Sequence, residues 1–181
     1  FNPNIIALLS PITIKFLSSN QISAFTTAEI NNLTSTQVPL IIQEAFINLT
    51  TLQLTAFNPG VISEFTTASI KILSSSQLYI LLSNAAKYFN VNQISYIPPY
   101  LITTLQLSLF NPNTITGLTT FQIIAFETNQ ITSLTSAQFL LLLTSQIQVF
   151  TTEDIINLNE LQISCITPAN ISVLSTAQII V

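Results

Sequence analysis

The chain has 181 residues, of which 49% are hydrophobic and only 6% are charged, against roughly 25% charged residues in ordinary globular domains. Its net charge is −4, and its three cations, Lys15, Lys71 and Lys87, are too scattered to form a phosphate-binding stripe, so the charge pattern favours neither nucleic acid nor an anionic membrane as a partner. The chain contains no histidine, which excludes His-based catalytic triads and His-ligated metal sites.

An eight-residue pattern repeats along the chain, as in LTTFQIIA (118–125). We number this octad from its large apolar residue. Position 2 is usually Thr, Ser or Asn, and position 6 is Ile or a close substitute. Position 5 is most often Gln, as at Gln21, Gln37, Gln53, Gln77, Gln93, Gln122, Gln130, Gln138, Gln162 and Gln178.

A longer repeat is superimposed on the octad. Blocks of seven octads begin with FNP at 1–56, 57–109 and 110–165, and a partial fourth block, 166–181, begins with ITP. The middle block is three residues short around SYIPPYL (95–101). We predict one continuous array over residues 1–181, in which the block sets how successive turns or subunits match.

Each octad reads as the start of a helix. Position 2 suits an N-cap, and Thr/Ser-x-x-Gln/Glu over positions 2 to 5 is a capping box. Positions 1 and 6 then form a hydrophobic staple, and position 3 is the first helical residue, where proline is favoured. Proline stands there at Pro3, Pro11, Pro59, Pro112 and Pro168.

The octad spacing excludes a single long helix, because eight residues turn the chain by about 800°, roughly 80° past two turns. The pattern predicts an all-α solenoid with one very short helix per octad, whose neighbours bury positions 1 and 6. A β-solenoid is the alternative, because Ile, Thr and Phe favour strands. It would need tight turns, and Gly60 and Gly117 are the only glycines.

Few side chains in the sequence suggest catalysis or metal binding. Glu153 and Asp154 are the only adjacent acids, and we interpret them as a first-turn pair that complements the helix dipole, with cation binding as the alternative. The lone Cys165 is expected to be buried. We predict no catalytic residue, cofactor or metal site.

Two further features are weaker. Asn32, Asn48 and Asn170 fit the glycosylation sequon, although the repeat itself supplies the Thr that follows Asn32 and Asn48. Paired threonines could present an ice-binding surface, but we expect their hydroxyls to cap helices; the pairs are 26–27, 50–51, 66–67, 119–120 and 151–152.

The mean hydropathy of +0.62 raises the question of a membrane span. The longest apolar runs are short, such as FLLLL (139–143), so we predict no membrane span. The chain has no signal-peptide pattern and begins with Phe, so we expect it to be processed or part of a longer protein.

The octads FTTAEINN (25–32), LTTFQIIA (118–125) and LTSAQFLL (134–141) resemble the Leu-Thr-Thr-x-Gln-Ile-x-x arrays of large bacterial surface and secreted, adhesin-like proteins. This chain is richer in Ile, Phe and Asn than we expect of such arrays, and it adds the seven-octad block. The resemblance implies an extracellular or cell-surface array that is structural or adhesive, and it brings no active site.

We therefore expect a non-enzymatic structural segment of an extracellular fibre, filament or stalk, which associates with itself through apolar and uncharged polar surfaces. An adhesin-type binding module and an ice- or surface-binding protein are the alternatives. Because the first and last octads look like interior repeats, we expect further repeats or another copy to cover the ends at Phe1 and Val181.

Overall fold

The computed structural model describes residues 3–180, and they contain short helices and no β-strand. The predicted all-α arrangement of very short helices in a regular series is confirmed. Phe1 and Asn2 of the first FNP motif, and the terminal Val181, lie outside the described residues. The helices fall into two compact units, one within residues 1–89 and one within residues 90–181. The predicted array over residues 1–181 and its block boundaries stay predictions.

Unit 1 contains eleven described helices, of which those labelled η are 3₁₀ helices. They are α1 (Pro3–Ile6), α2 (Pro11–Lys15), α3 (Ser19–Ser23), α4 (Thr27–Asn31), η1 (Val38–Leu40), α5 (Gln43–Asn48), α6 (Thr51–Ala56), η2 (Pro59–Glu64), α7 (Thr67–Ile72), α8 (Ser75–Ala85) and η3 (Ala86–Tyr88).

Unit 2 contains twelve described helices. They are α9 (Val91–Ile94), η4 (Pro99–Leu101), α10 (Thr104–Leu109), η5 (Pro112–Gly117), α11 (Thr120–Ala125), α12 (Thr128–Thr132), α13 (Ser136–Phe139), α14 (Thr144–Ile147), α15 (Thr152–Ile156), α16 (Glu160–Ser164), α17 (Pro168–Ile171) and α18 (Thr176–Ile179).

Three octads make one coil within each unit. In unit 2, α10, α12, α15 and α18 contact one another in succession, and they begin at positions 104, 128, 152 and 176, a regular interval of three octads. In unit 1 the same holds for α1, α4, α6 and α8, which begin at positions 3, 27, 51 and 75. The short segment around 95–101 fits this scheme, because η4 and α11 are in contact although their starts, Pro99 and Thr120, are closer in sequence than three full octads.

The coil therefore corrects the expected role of the seven-octad block. Seven octads amount to two coils and one octad, so Phe110 and Ile166 in unit 2 begin octads on different sides of the coil. Stacking follows the three-octad coil and not the block.

The core of each unit is formed by positions 1 and 6, as the pattern predicts. Position 6 is almost fully buried at Ile30, Ile70, Ile115 and Ile131. Phenylalanines also pack in the core: the Phe46 ring lies 4.9 Å from the Phe65 ring, centroid to centroid, in an edge-to-face arrangement. Each coil thus buries apolar side chains that one short helix could not bury alone.

The predicted helix starts are observed at most octads. Pro3, Pro11, Pro59, Pro112 and Pro168 are each the first residue of a helix. The FNP octads that begin at Phe57 and Phe110 form 3₁₀ helices, in which the cap, Asn58 or Asn111, accepts from the N–H two residues later. One octad boundary is missing, because Leu82 stands where a cap belongs and α8 continues through it for 11 residues.

Candidate functional site

The capping box is the local unit from which the candidate site is built. At Thr119, the hydroxyl accepts from the backbone N–H of Gln122 at 3.1 Å, and the Thr119 backbone N–H donates to Gln122 Oε1 at 2.8 Å. The same reciprocal pair forms at Ser18 and Gln21 and at Thr135 and Gln138. Half of it is retained at Leu143, whose N–H donates to Gln146 Oε1 although leucine offers no acceptor in return.

The other end of the glutamine side chain joins two coils. Gln138 Nε2 donates to the carbonyls of Leu107 and Phe110, both at 2.9 Å, which lie 31 and 28 residues earlier. These are the position 6 and position 1 carbonyls at the corner of the preceding coil. We call these coil-joining glutamines the glutamine ladder; the bonds are made by Gln37, Gln53, Gln77, Gln122, Gln130, Gln138, Gln146, Gln162 and Gln178.

The ladder satisfies most of the hydrogen-bonding groups at the corners of the coils, so few of them are left to bond with water. Most of its glutamines are buried, Gln122 and Gln146 at 2% and 1% exposure, and each amide serves as acceptor for its own cap and as donor to the coil before. In the shortened coil, Gln122 Nε2 still donates to a position 6 carbonyl, that of Ile94, and to a position 1 carbonyl, that of Ile97. Ile97 lies 25 rather than 28 residues before Gln122, which matches the three residues missing from this coil. A buried amide is stable when its hydrogen-bonding groups all have partners, so the ladder stabilises the one stacking register in which these bonds form.

Carboxylates replace the amide at two places. Glu29 and Asp154 are buried at position 5 and accept from the backbone N–H of Thr26 and Thr151, at 2.7 and 2.8 Å. The Thr26 N–H lowers the pKa of Glu29 below its ordinary value, although burial acts in the opposite direction. Both carboxylates therefore take over the capping half of the glutamine's role.

The two sides of a coil are chemically different, and the outermost coils show it. We call residues 3–24 the first coil and residues 158–180 the last coil. Position 6 is fully buried in the first coil, but in the last coil Ile163, Ile171 and Ile179 are 51%, 49% and 58% exposed. Position 6 therefore faces the following coil.

Positions 5 and 8 behave in the opposite way. Gln21 is exposed in the first coil, whereas Gln162 and Gln178 in the last coil are 2% and 7% exposed. At position 8, Leu8 and Phe16 of the first coil are 82% and 80% exposed. These positions face the preceding coil, so each coil carries donors and apolar groups on one side and acceptors and isoleucines on the other.

The structure places the sequence-predicted acids and threonines as follows. Asp154 belongs to a capping box, and Glu153 is exposed with its carboxylate accepting from Asn157 Nδ2 at 2.8 Å. The described residues contain no group of three His, Cys, Asp or Glu side chains that could hold a metal ion. The first threonine of every predicted pair caps a helix; these are Thr26, Thr50, Thr66, Thr119 and Thr151.

The three sequon asparagines have different surroundings. Asn48 is exposed and Asn32 is half-buried, and the side-chain amide of Asn32 donates to the Ala28 carbonyl and that of Asn48 to Ser19 Oγ. Asn170 is 2% exposed and donates to the Leu142 carbonyl at 3.2 Å, so its modification would have to precede folding. Glycosylation stays a prediction. Cys165 is half-buried rather than buried, in the last coil.

No protein-family model matches the chain, and no curated protein and no solved structure is significantly similar to it. Among residues 3–180, no helix is long and apolar enough to cross a membrane. The candidate functional site is the surface of the coils, where large apolar side chains such as Leu52, Leu105 and Phe121 are exposed beside the glutamine ladder.

Proposed function

We propose that the chain is a non-enzymatic structural repeat array, a segment of an extracellular fibre, filament or stalk, and that it associates with itself through apolar and uncharged polar surfaces. The observation that carries the proposal is the set of large apolar side chains that stay exposed on interior coils. Leu52, Leu105 and Phe121 are 68%, 67% and 72% exposed. A second copy that packs against them would remove this apolar surface from water.

Composition and sequence pattern support the location. A chain in which only 6% of the residues are charged suits a protein that covers much of its surface with copies of itself. The octads resemble those of large secreted and surface proteins, where such arrays stand outside the cell.

Sedimentation velocity of the 181-residue chain across a concentration series tests the proposal. We expect the weight-average sedimentation coefficient to rise with concentration, because apolar faces of this kind associate by mass action. A single monomeric species at every concentration would overturn it. That result would favour an adhesin-type binding module, for which Tyr100 and Phe121, 75% and 72% exposed on the contacting helices η4 and α11, supply the surface.

A further inference from the structure

Three departures from the octad repeat meet at one corner of unit 2, among its interior coils. The octad that begins at Ile97 is three residues short and carries Tyr100 on η4. Glu127 is the only charged residue at position 2 of an octad. Gln130, in the same octad as Glu127, makes one ladder bond where Gln138 makes two. In repeat proteins, departures that fall on one face often mark the binding face.

A hollow of about 360 Å³ lies at this corner, between η4 and α10 of one coil and α12 of the next. The residues that line it include Pro99, Tyr100, Thr104, Glu127, Asn129 and Gln130. Its volume falls in the range of small-molecule sites, roughly 300 to 1,000 Å³. The Tyr100 side chain is 75% exposed, so a ligand can cover its ring without any rearrangement of the core.

Gln130 provides a hydrogen-bond donor at the wall of the hollow. Its Oε1 accepts from the Glu127 backbone N–H at 2.8 Å, and its Nε2 donates to the Ile102 carbonyl. Gln138, which follows a full-length octad, makes a second bond to the position 6 carbonyl of Leu107. Gln130 follows the shortened octad, and within residues 3–180 its second amide hydrogen has no partner, although the side chain is half-buried. A ligand that accepts this hydrogen would satisfy a group that the repeat leaves unpaired.

The other polar side chains of the hollow supply both acceptors and donors. The Glu127 carboxylate is exposed and accepts from Asn129 Nδ2 at 3.2 Å. The Asn129 amide and the Thr104 hydroxyl can each donate and accept. The hollow thus combines both kinds of hydrogen-bonding group with one flat aromatic ring.

We propose that this hollow binds the pyranose ring of a neutral carbohydrate. The Tyr100 ring faces the C–H groups of the sugar, which the negative face of an aromatic ring attracts. Glu127 accepts from sugar hydroxyls, and Gln130 and Asn129 donate to hydroxyl oxygens. An organic cation would use the ring and the carboxylate but would leave the amide donors without acceptors, so the donors favour the sugar. This site goes beyond the proposed self-association and does not depend on it.

Saturation-transfer difference NMR of the 181-residue chain tests the site, with methyl α-mannoside, methyl β-galactoside, methyl β-glucoside and N-acetylglucosamine as probes. We expect at least one of these sugars to bind with a dissociation constant on the order of a millimolar, because one small ring makes few contacts. Absence of binding by all of them would overturn the proposal. Tetramethylammonium is the competing probe, and tighter binding of this cation than of every sugar would also overturn it.

Tyr100→Ala and Phe121→Ala are a matched pair of variants. The two side chains are 75% and 72% exposed, but Phe121 does not line the hollow. We expect Tyr100→Ala to weaken sugar binding about tenfold or more and Phe121→Ala to change it by about twofold or less, with melting temperatures unchanged. Equal effects of the two substitutions would overturn the assignment of the sugar to this hollow.

Glu127→Gln tests the polar side of the site. We expect it to weaken sugar binding about fivefold or more, because hydrogen bonds to a charged group are stronger than those to a neutral amide. Glu153→Gln, which makes the same change at an exposed acid on α15, is the control. Equal binding by the two variants would contradict the role of Glu127.

The two proposals fail separately. A chain that stays monomeric in sedimentation and still binds a sugar would overturn self-association alone. A chain that associates but binds none of the sugars would overturn the carbohydrate site alone.

Discussion

At the scale of single residues, glutamine at position 5 does two things with one side chain. Its carbonyl oxygen completes a capping box, and its amide nitrogen joins the coil to the one before, as for Gln146 and the carbonyls of Ile115 and Leu118. The capping role could be predicted, because it depends on residues close in sequence. The joining role could not, because its partners lie in the preceding coil and depend on which octads stack.

Gln138→Glu separates the two roles. The carboxylate still accepts from the Thr135 N–H, but the two donors to Leu107 and Phe110 are lost in a site that is 1% exposed. We expect the free energy of unfolding at pH 7 to fall by about 3 kcal/mol or more. The loss should shrink at acidic pH, because a protonated carboxyl group supplies one donor.

The control for this prediction is Gln148→Glu, which makes the same change at an exposed position. Surface changes of this type alter stability by about 0.5 kcal/mol or less. Urea unfolding of both variants measures the two changes in the free energy of unfolding. Equal stability of Gln138→Glu and Gln148→Glu would mean that the ladder contributes nothing to folding.

The two glycines differ although neither has a positive φ angle. A Cβ atom on Gly117 would stand 2.0 Å from the Val91 backbone oxygen, within the shortened coil of unit 2. A Cβ atom on Gly60 would meet only Asn58 Oδ1, at 3.4 Å. We therefore expect Gly117→Ala to cost about 2 kcal/mol or more. Gly60→Ala should be neutral or stabilising by a few tenths of a kcal/mol. Thermal unfolding of the two variants checks this prediction. Equal stability of Gly117→Ala and Gly60→Ala would contradict the close approach of residue 117 to the Val91 backbone oxygen.

At the scale of the element, the cap at position 2 decides where each helix begins. Where the cap is present, as at Thr135, the helix starts anew after it. Where Leu82 replaces it, α8 runs on, and Leu81 and Leu82 are both buried. The sequence predicted the helix starts because caps, prolines and staples are local. It did not predict the 3₁₀ form of η2 and η5, since the cap bond to the second rather than the third N–H is a detail of geometry.

The helix start at Thr119 provides a matched test. Thr119→Ala removes an acceptor for the Gln122 N–H and should cost about 1 kcal/mol. Thr120→Pro should be close to neutral, because residue 120 is the first of α11 and Thr119 already has the extended conformation, φ −75° and ψ 156°, that precedes proline. If chemical denaturation shows Thr120→Pro to be the more disruptive of the two, Thr119 is not the cap of a helix that begins at residue 120.

At the scale of the molecule, the number of octads in a coil is the property that the sequence left open. An octad repeat sets the length of each side, but the angle between successive short helices decides how many sides close a coil. That angle follows from the extended cap residue and from packing around Phe and Ile in the core, which are not local.

The most direct test of the three-octad coil is the distance between spin labels within unit 2. In a Cys165→Ser background, nitroxides at Ala137 and Leu161, three octads apart on the contacting helices α13 and α16, should lie about 10 Å apart and broaden each other's spectra strongly. Labels at Ala137 and Glu153, two octads apart and on different sides of the coil, should broaden weakly. Equal or stronger broadening for the second pair would contradict three helices per coil.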